Sequence, residues 1–164
     1  GLEFSDFAVQ EAYRRYGLVL HKGRVAEFNS TQRFDVVHLN HVLEHLRDPH
    51  AAIEWINVLL NDGGVVYIEV PFQFNFVDRV KYKTAGVRHQ FSLHSLHHPV
   101  FFTPQTLVEL FESHAYECLH LRFFDRIHYP IDGVVSGLKA LAWRALAAIG
   151  QGLFIEGVFR RRLR

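Results

Sequence analysis

Residues Phe34 to Pro49, FDVVHLNHVLEHLRDP, decide the fold of this chain. The run begins with apolar residues, including two adjacent valines, and lacks the polar alternation of a half-exposed strand. Such a run is typical of a strand that is covered on both faces in a parallel sheet. His41, Glu44 and His45 follow it directly, and open α/β sheets bind ligands at the carboxyl ends of their strands. The stretch therefore predicts a functional site at the end of a buried strand.

Helix and strand patterns alternate on both sides of this stretch. Ser5, Asp48 and Thr103 are typical helix N-caps, and a proline follows two of them in the first helical turn. The helices are predicted over residues 6–16, 49–60 and 104–114. The predicted strands are Leu18–His21, Phe34–Leu39, Val65–Val70, Glu117–Phe124 and Leu153–Phe159. This order predicts an α/β fold with a mainly parallel sheet and right-handed crossovers.

Composition places the chain among ordinary globular proteins. It has 164 residues, of which 49% are hydrophobic and 21% charged, which suits a single domain. The net charge is +1 and its excess lies in the arginines of the last five residues, so no nucleic-acid partner is expected. A single cysteine, Cys118, and the lack of a signal-peptide pattern favour a cytoplasmic location. Histidine is the outlier, with 12 residues.

Two segments depart from the pattern of short connections. Residues 72–102 separate a strand from its helix, where about two to six residues are usual. Their phenylalanines argue against disorder, and with Arg79, Lys81, Lys83 and Arg88 they predict a lid over a polar or anionic substrate. Residues 133–150 predict an added helix with an apolar stripe. It either packs across the sheet edge, which we favour, or gives residues 133–164 peripheral contact with a membrane.

The central run resembles a known family. Residues 34–71 are similar to the middle segment of class I S-adenosylmethionine-dependent methyltransferases, of the methyltransferase-domain 23/11 type: a strand, Leu-Glu-His, Asp-Pro, a helix, Gly-Gly and a strand ending in Pro. The resemblance continues through residues 1–23 and 101–119. It implies a three-layer Rossmann-like fold with an antiparallel last strand. The family's first strand and Gly-rich turn have no counterpart here, so we expect residues 1–164 to form a single, partial domain.

The resemblance also implies which residues bind the cofactor, S-adenosylmethionine. Glu3 stands at the end of the family's second strand, where a carboxylate accepts hydrogen bonds from ribose hydroxyls. A second interpretation stays open, in which this acidic residue favours the N-terminus of the next helix. Arg24 departs from the residue usual in the adenine loop, so only that loop's backbone and Val25 are carried over. The implied cofactor-binding residues are Glu3, Phe4, Gly23, Val25, Asn40 and His41.

The polar residues after the central strand have three interpretations. The segment resembles that of small-RNA 2′-O-methyltransferases and quinone-pathway O-methyltransferases, in which Glu-x-x-Glu-His and a distant histidine hold a divalent metal. Here His41 replaces the first glutamate, which moves the preference from Mg²⁺ toward Zn²⁺, Fe²⁺ or Mn²⁺. Without a metal, a histidine is the general base, or else Glu44 and His45 are structural. The candidate metal ligands are His41, Glu44, His45 and His98, and the candidate catalytic residues are His45 and His98.

A helix over residues 41–46 would place His41, Glu44 and His45 on one face, since helical neighbours are three and four residues apart.

The sequence leaves two functions of different classes. The first is methyl transfer from S-adenosylmethionine to a small hydroxylated acceptor, such as a sugar, glycolipid or quinone-type intermediate. The second is a non-catalytic methyltransferase-like module that acts in binding or assembly, which the lack of a Gly-rich turn favours. Of the two, we expect the chain to be the methyl-transferring enzyme.

Overall fold

The computed structural model describes residues 1–85, 98–125 and 134–162. Its helices are α1 (Asp6–Tyr16), α2 (Pro49–Leu59), α3 (Phe76–Ala85), α4 (Pro104–Glu112) and α5 (Val134–Ala148). Its strands are β1 (Leu2–Glu3), β2 (His21–Lys22), β3 (Phe34–Asn40), β4 (Leu60–Pro71), β5 (Tyr116–Phe124) and β6 (Phe154–Arg161). Short 3₁₀ turns cover Val25–Glu27 and Leu43–His45. The helices and strands predicted from the sequence are present in this order, and α3 is an additional helix.

Side-chain caps begin α1, α2 and α4 where the sequence places them. Ser5, Asp48 and Thr103 each accept a backbone N–H from the first turn of their helix. Thr103 and Thr106 bond reciprocally in a capping box. α1 ends at Gly17, whose φ of 65° lies in the left-handed region that suits glycine. Local sequence chemistry therefore fixes where these helices begin and end.

The described strands form two sheets. The larger has the order β3-β4-β6-β5, in which β3 and β4 are parallel and β6 is antiparallel to both of its neighbours. β1 and β2 form a separate parallel pair. The antiparallel last strand is confirmed. Within the described ranges, β3 pairs with β4 alone, so its other edge has no strand partner.

The core lies on one face of the larger sheet, against α2 and α4. Phe111 of α4 stacks on Phe159 of β6, with ring centroids 4.0 Å apart and planes inclined by 7°. The edge of Tyr116 packs on Phe111, and its hydroxyl donates to Asn57 Oδ1 of α2 at 2.6 Å. These aromatic side chains are fully buried. Burying a side chain of this size stabilises a protein by about 1.5–3 kcal/mol, so this cluster holds the two helices on the sheet.

The sequence predicted that β3 is covered on both faces of the sheet, and this prediction was wrong. Val37 packs against the core and Leu39 is buried, whereas Val36 is 58% exposed. The pattern of residue types indicates an apolar strand but does not say what covers it. Among the described helices, α2 packs on β3 from the core side, and β3 lies at the edge of its sheet.

Three local predictions also differ from the structure. β2 is His21–Lys22 rather than Leu18–His21, and the segment after β3 forms a 3₁₀ turn rather than a helix over residues 41–46. β4 begins at Leu60 rather than Val65, since its pairing with β3 continues across a register shift between Phe34 and Val36, and Asn61 donates to Asp35 of β3 there. α3, inside residues 72–102, was missed. The signal was Asn75, which is fully buried and accepts the Asp78 N–H at 3.0 Å as a cap.

α5 combines features of both interpretations of residues 133–150. Ala140 is buried and the helix packs on β5, as a helix across the sheet edge should. Val134, Leu138 and Leu141 nevertheless remain more than 60% exposed. Of the described helices, none has the length and apolar character needed to cross a membrane. Membrane contact through this exposed stripe stays a prediction.

The substitution Gly157→Ala tests how β6 packs on the core. A Cβ there would lie 2.6 Å from Cε2 of Phe159, whose buried ring is held by stacking on Phe111. We expect the free energy of unfolding to fall by about 1–3 kcal/mol, the usual cost of overpacking, in urea denaturation followed by circular dichroism. Gly23→Ala is the matched control, because its Cβ would come no nearer than 3.7 Å to another atom. Equal stability of the two variants would contradict this packing.

Candidate functional site

The chain turns sharply where β3 ends. His41 has a φ of 53°, in the left-handed region that a residue with a side chain seldom adopts. Its backbone N–H donates to the carbonyl of Glu69 in β4 at 3.0 Å, which fixes the turn. Backbone strain of this kind costs roughly 1–3 kcal/mol and clusters at functional sites. The turn directs the next residues across the carboxyl edge of the sheet.

Glu44, in the 3₁₀ turn, is a buried carboxylate with one unsatisfied oxygen. The residue is 1% exposed. Its Oε1 lies 3.3 Å from His41 Nδ1 and 3.9 Å from His45 Nε2. Its Oε2 is buried and has no hydrogen-bond partner among the described residues. A buried carboxylate oxygen without a partner is costly, so this atom is suited to a cation or a proton donor.

The end of the 72–102 segment brings His98 to the same place. The backbone N–H of Val100 donates to the Glu44 carbonyl at 3.4 Å. The rings of His45 and His98 meet edge to face with centroids 4.7 Å apart. Glu44, His45 and His98 each offer a ligand atom, and these atoms all lie within 4.8 Å of one another. His41 does not belong to this group and instead contacts Glu44 through Oε1.

Gln73 belongs to the site, although it was not predicted from the sequence. It is 7% exposed, and its Nε2 lies 2.7 Å from His98 Nδ1. Its Oε1 is buried without a partner among the described residues. The signal was its position just past the end of β4. Because β3 and β4 are parallel, their carboxyl ends share one edge, and polar residues beyond either strand meet there.

The cofactor-binding residues implied by the sequence lie at the carboxyl ends of the first strands. Glu3 ends β1, Gly23 follows β2, and Asn40 ends β3. Glu3 Oε1 accepts the Ser5 N–H at 2.8 Å, which is the contact that the helix-terminus interpretation expects. A carboxylate has a second oxygen with which to accept a hydrogen bond from a ribose diol, so Glu3 fits the cofactor as an acceptor as well. Phe4 is 73% exposed beside it.

Contacts of Phe28 anchor the loop after β2 to the rest of the protein. Val25 lies half-buried in the 3₁₀ turn of this loop. The Trp55 side chain of α2 donates to the Phe28 carbonyl at 2.9 Å, and the two rings lie 6.2 Å apart. His21 of β2 packs edge-on against Phe28 with centroids 4.9 Å apart. The small sheet is thereby held beside the larger one through α2.

A second polar network lies on the sheet face that points away from the core. The Tyr67 hydroxyl donates to Glu156 Oε2 at 2.6 Å, and Arg122 Nε pairs with Glu156 Oε1 at 2.7 Å. Burial and the adjacent Glu156 carboxylate raise the pKa of Tyr67 to about 12. Burial opposes the ionisation of Glu156, but hydrogen bonds from Arg122 and Tyr67 bring its pKa below the usual value. The network ties β4, β5 and β6 together, and it was not predicted from the sequence.

Comparisons with known proteins identify the family. A family model described as a methyltransferase domain matches residues 3–121. No curated protein sequence matches the chain. A structure from Thermotoga maritima, a S-adenosylmethionine-dependent methyltransferase described as a possible histamine N-methyltransferase, is 18% identical with a TM-score of 0.66; the match covers 99% of this chain and 72% of that one.

Two further structures have the same fold. A S-adenosylmethionine-dependent methyltransferase from Archaeoglobus fulgidus is 15% identical, with a TM-score of 0.64 over 98% of this chain and 75% of that one. The N-methyltransferase NodS from Bradyrhizobium japonicum, in complex with S-adenosylhomocysteine, is 12% identical, with a TM-score of 0.59 over 99% of this chain and 65% of that one. At such identities the likeness shows the fold alone.

The raised pKa of Tyr67 predicts how stability changes in base. The folded value of about 12 exceeds that of an exposed tyrosine, about 10. Its contribution to stability is therefore complete below about pH 10 and is lost as the pH rises toward 12. In a rapid pH jump followed by tyrosinate absorbance, Tyr67→Phe should remove one group that ionises near 12. Tyr13→Phe, at a residue 64% exposed, is the control and should leave the ionisation near pH 12 in place. The same loss in both variants would contradict the assignment.

Proposed function

This chain belongs to the methyltransferase domain family, and from that membership we propose that it methylates a hydroxyl oxygen of a small acceptor. By resemblance it is a class I S-adenosylmethionine-dependent methyltransferase. The proposal that the methyl acceptor is an oxygen rests on one observation. His45 and His98 lie in ring contact at the carboxyl edge of β3 and β4. A sugar, glycolipid or quinone-type intermediate has the hydroxyl that such a pair can deprotonate.

Residues at the edge of the sheet hold the cofactor in this proposal. Glu3 accepts from the ribose hydroxyls through the oxygen that does not bond Ser5. Phe4, Gly23 and Val25 lie beside the adenine, where the missing side chain of glycine lets the backbone approach. Asn40 and His41 border the methionine part. The cofactor, when bound, supplies a methyl group activated by a positive sulfur.

Proton removal is the chemical task left to the protein. An alcohol has a high pKa, so its oxygen attacks a methyl carbon only as a base accepts the proton. His45 is 46% exposed and can reach an acceptor in solvent, whereas His98 is held by Gln73. We assign His45 as the base and His98 as the residue that orients it through their ring contact. As the acceptor oxygen gains the methyl group, the bond from the methyl carbon to the cofactor sulfur breaks, and the His45 imidazole gains the hydroxyl proton.

The segment 72–102 is the proposed lid over the acceptor. Its first part is anchored, because Asn75 is buried and bonds the Phe72 carbonyl at 2.8 Å, and the Phe76 N–H donates to Gln151 at 2.7 Å. α3 then presents Arg79 and Lys83 to solvent, where they can attract an anionic acceptor. Arg88 and the side chain of Lys81, the rest of the basic set, lie outside the described residues.

Calorimetric titration with S-adenosylhomocysteine tests the cofactor site. We expect the chain to bind it, and Glu3→Ala to weaken binding by roughly 10- to 150-fold, since a hydrogen bond to a charged group is worth about 1.5–3 kcal/mol. Asp6→Asn is the control, because this neighbouring carboxylate is exposed and pairs with Lys22. If the native chain does not bind, the proposed function fails and the non-catalytic module is supported instead.

Methyl transfer to a panel of hydroxylated acceptors tests the proposed base. We expect His45→Gln to lower kcat by about 10²–10⁴, the usual contribution of a general base, and to leave the affinity for S-adenosylhomocysteine unchanged. His50→Gln is the control, since His50 is an exposed histidine that pairs with His114 instead. A strict preference of the native enzyme for amine or carbon acceptors would contradict the oxygen chemistry.

A further inference from the structure

We propose that the exposed face of α5 pairs with the same face of a second copy of this chain. α5 packs on β5 from one side, where Ala140 is buried. Its other side carries eight exposed apolar residues, and the five large ones among them are 62–78% exposed. A contiguous apolar surface of this kind usually marks a site of contact with a partner. This α5 stripe consists of Val134, Val135, Leu138, Leu141, Ala142, Ala145, Ala148 and Ile149.

The spacing of the α5 stripe is that of a helix that packs on another helix. Its central residues recur at intervals of four, three, four and three positions, and they are Val134, Leu138, Leu141, Ala145 and Ala148. In a helix of 3.6 residues per turn they lie within an arc of about 80°. This alternation is the heptad pattern with which two helices interlock side chains along a common seam. Because α5 is already folded on β5, pairing does not have to order it.

A second copy of α5 is a helix that fits this stripe. Large aliphatic side chains fill its first half up to Leu141, and alanines fill its second half apart from Ile149 at the end. An antiparallel pair about a two-fold axis sets the first half of each helix against the second half of the other, so large side chains meet small ones. Lys139 and Arg144 lie outside the central arc, on opposite sides of it, so neither cation enters the seam.

The composition of the stripe favours a second helix over a membrane surface. Helices that lie in a membrane interface bury large side chains such as Trp, Phe and Leu, and their polar face is rich in Lys and Arg. Alanine instead occupies three of the eight positions of the α5 stripe, and the helix carries two cations. Its tryptophan, Trp143, is half-buried on the side opposite the stripe. Alanines allow two helices to approach closely but add little to membrane binding.

The area of the stripe suits a weak, reversible dimer. At about 60–120 Å² of apolar surface for each large aliphatic side chain, the five in the stripe expose roughly 200–400 Å² per copy. Phe76 extends this surface, because it is 59% exposed and its N–H donates to Gln151 just beyond the end of α5. With Phe76 and the alanines, a pair buries about 1,000 Å², which is near the lower limit for a specific interface. We therefore expect a dissociation constant in the micromolar range.

Sedimentation analysis of the full chain tests the pairing. We expect a reversible equilibrium of monomer and dimer between about 1 and 300 μM. Leu141→Lys puts a charge at the centre of the interface in each copy and should raise the dissociation constant by at least about tenfold. Val58→Lys is the matched control, because Val58 is 62% exposed on α2 and lies outside the stripe, so the equilibrium should not change. Circular dichroism checks that both variants fold.

Cysteine cross-linking tests the antiparallel arrangement. The variants are made in the Cys118→Ser background, so that only the introduced thiol reacts. Ala142→Cys should form a disulfide-linked dimer on mild oxidation with copper phenanthroline, because position 142 lies beside the two-fold axis. Val134→Cys alone should not, since its two copies lie roughly 20 Å apart along the helix pair. A mixture of Val134→Cys with Ala148→Cys should again give a linked dimer.

Two results would overturn the proposal. The first is a chain that stays monomeric at the highest concentration, and binding of that monomer to vesicles of phosphatidylcholine and phosphatidylglycerol would assign the α5 stripe to a membrane instead. The second is a dimer that Leu141→Lys does not weaken or that Val134→Cys alone links as well as Ala142→Cys does. The pairing does not depend on the proposed function, and S-adenosylhomocysteine binding is a separate readout, so the failure of either is distinguishable.

Discussion

The parallel pairing of β3 with β4 is the constraint on which the rest of the site depends. It puts the carboxyl ends of both strands at one edge, so that the turn after β3 and the segment after β4 must meet. The bond from the His41 N–H to the Glu69 carbonyl closes that edge and holds the strained turn. Glu44 and His45 then face Gln73 and the end of the long segment. An antiparallel pairing would have sent these groups to opposite ends of the sheet.

Much of the fold could be predicted from short-range chemistry. Caps such as Ser5 and Asp48 and the stop at Gly17 act within one helical turn, and the structure confirms them. The exposure of β3 could not be predicted, because apolar Val36 looks the same in a covered and in an uncovered strand. The register shift that extends β4 to Leu60 is a property of the pairing between two strands, which no local pattern reveals.

The candidate site was predicted in part for the same reason. His45 and Glu44 are adjacent in the sequence and the motif indicates them, and His98 was included through resemblance. Gln73 and the network of Tyr67, Glu156 and Arg122 were missed, because their partners come from segments far away in the sequence. For the network, polar residues at alternate positions of the strands were the available signal. Their burial became interpretable only with the sheet order.

Mapping of the S-adenosylhomocysteine contact by NMR tests the central claim most directly, namely that the cofactor lies across the carboxyl edge of the strands. In a ¹H–¹⁵N spectrum titrated with this ligand, the account predicts the largest shifts at the amides of Glu3, Gly23, Asn40 and His41. These residues follow or end three different strands, so a common response requires a single ligand spanning that edge. Shifts confined to residues at the opposite ends of the strands, such as Phe34, would contradict it.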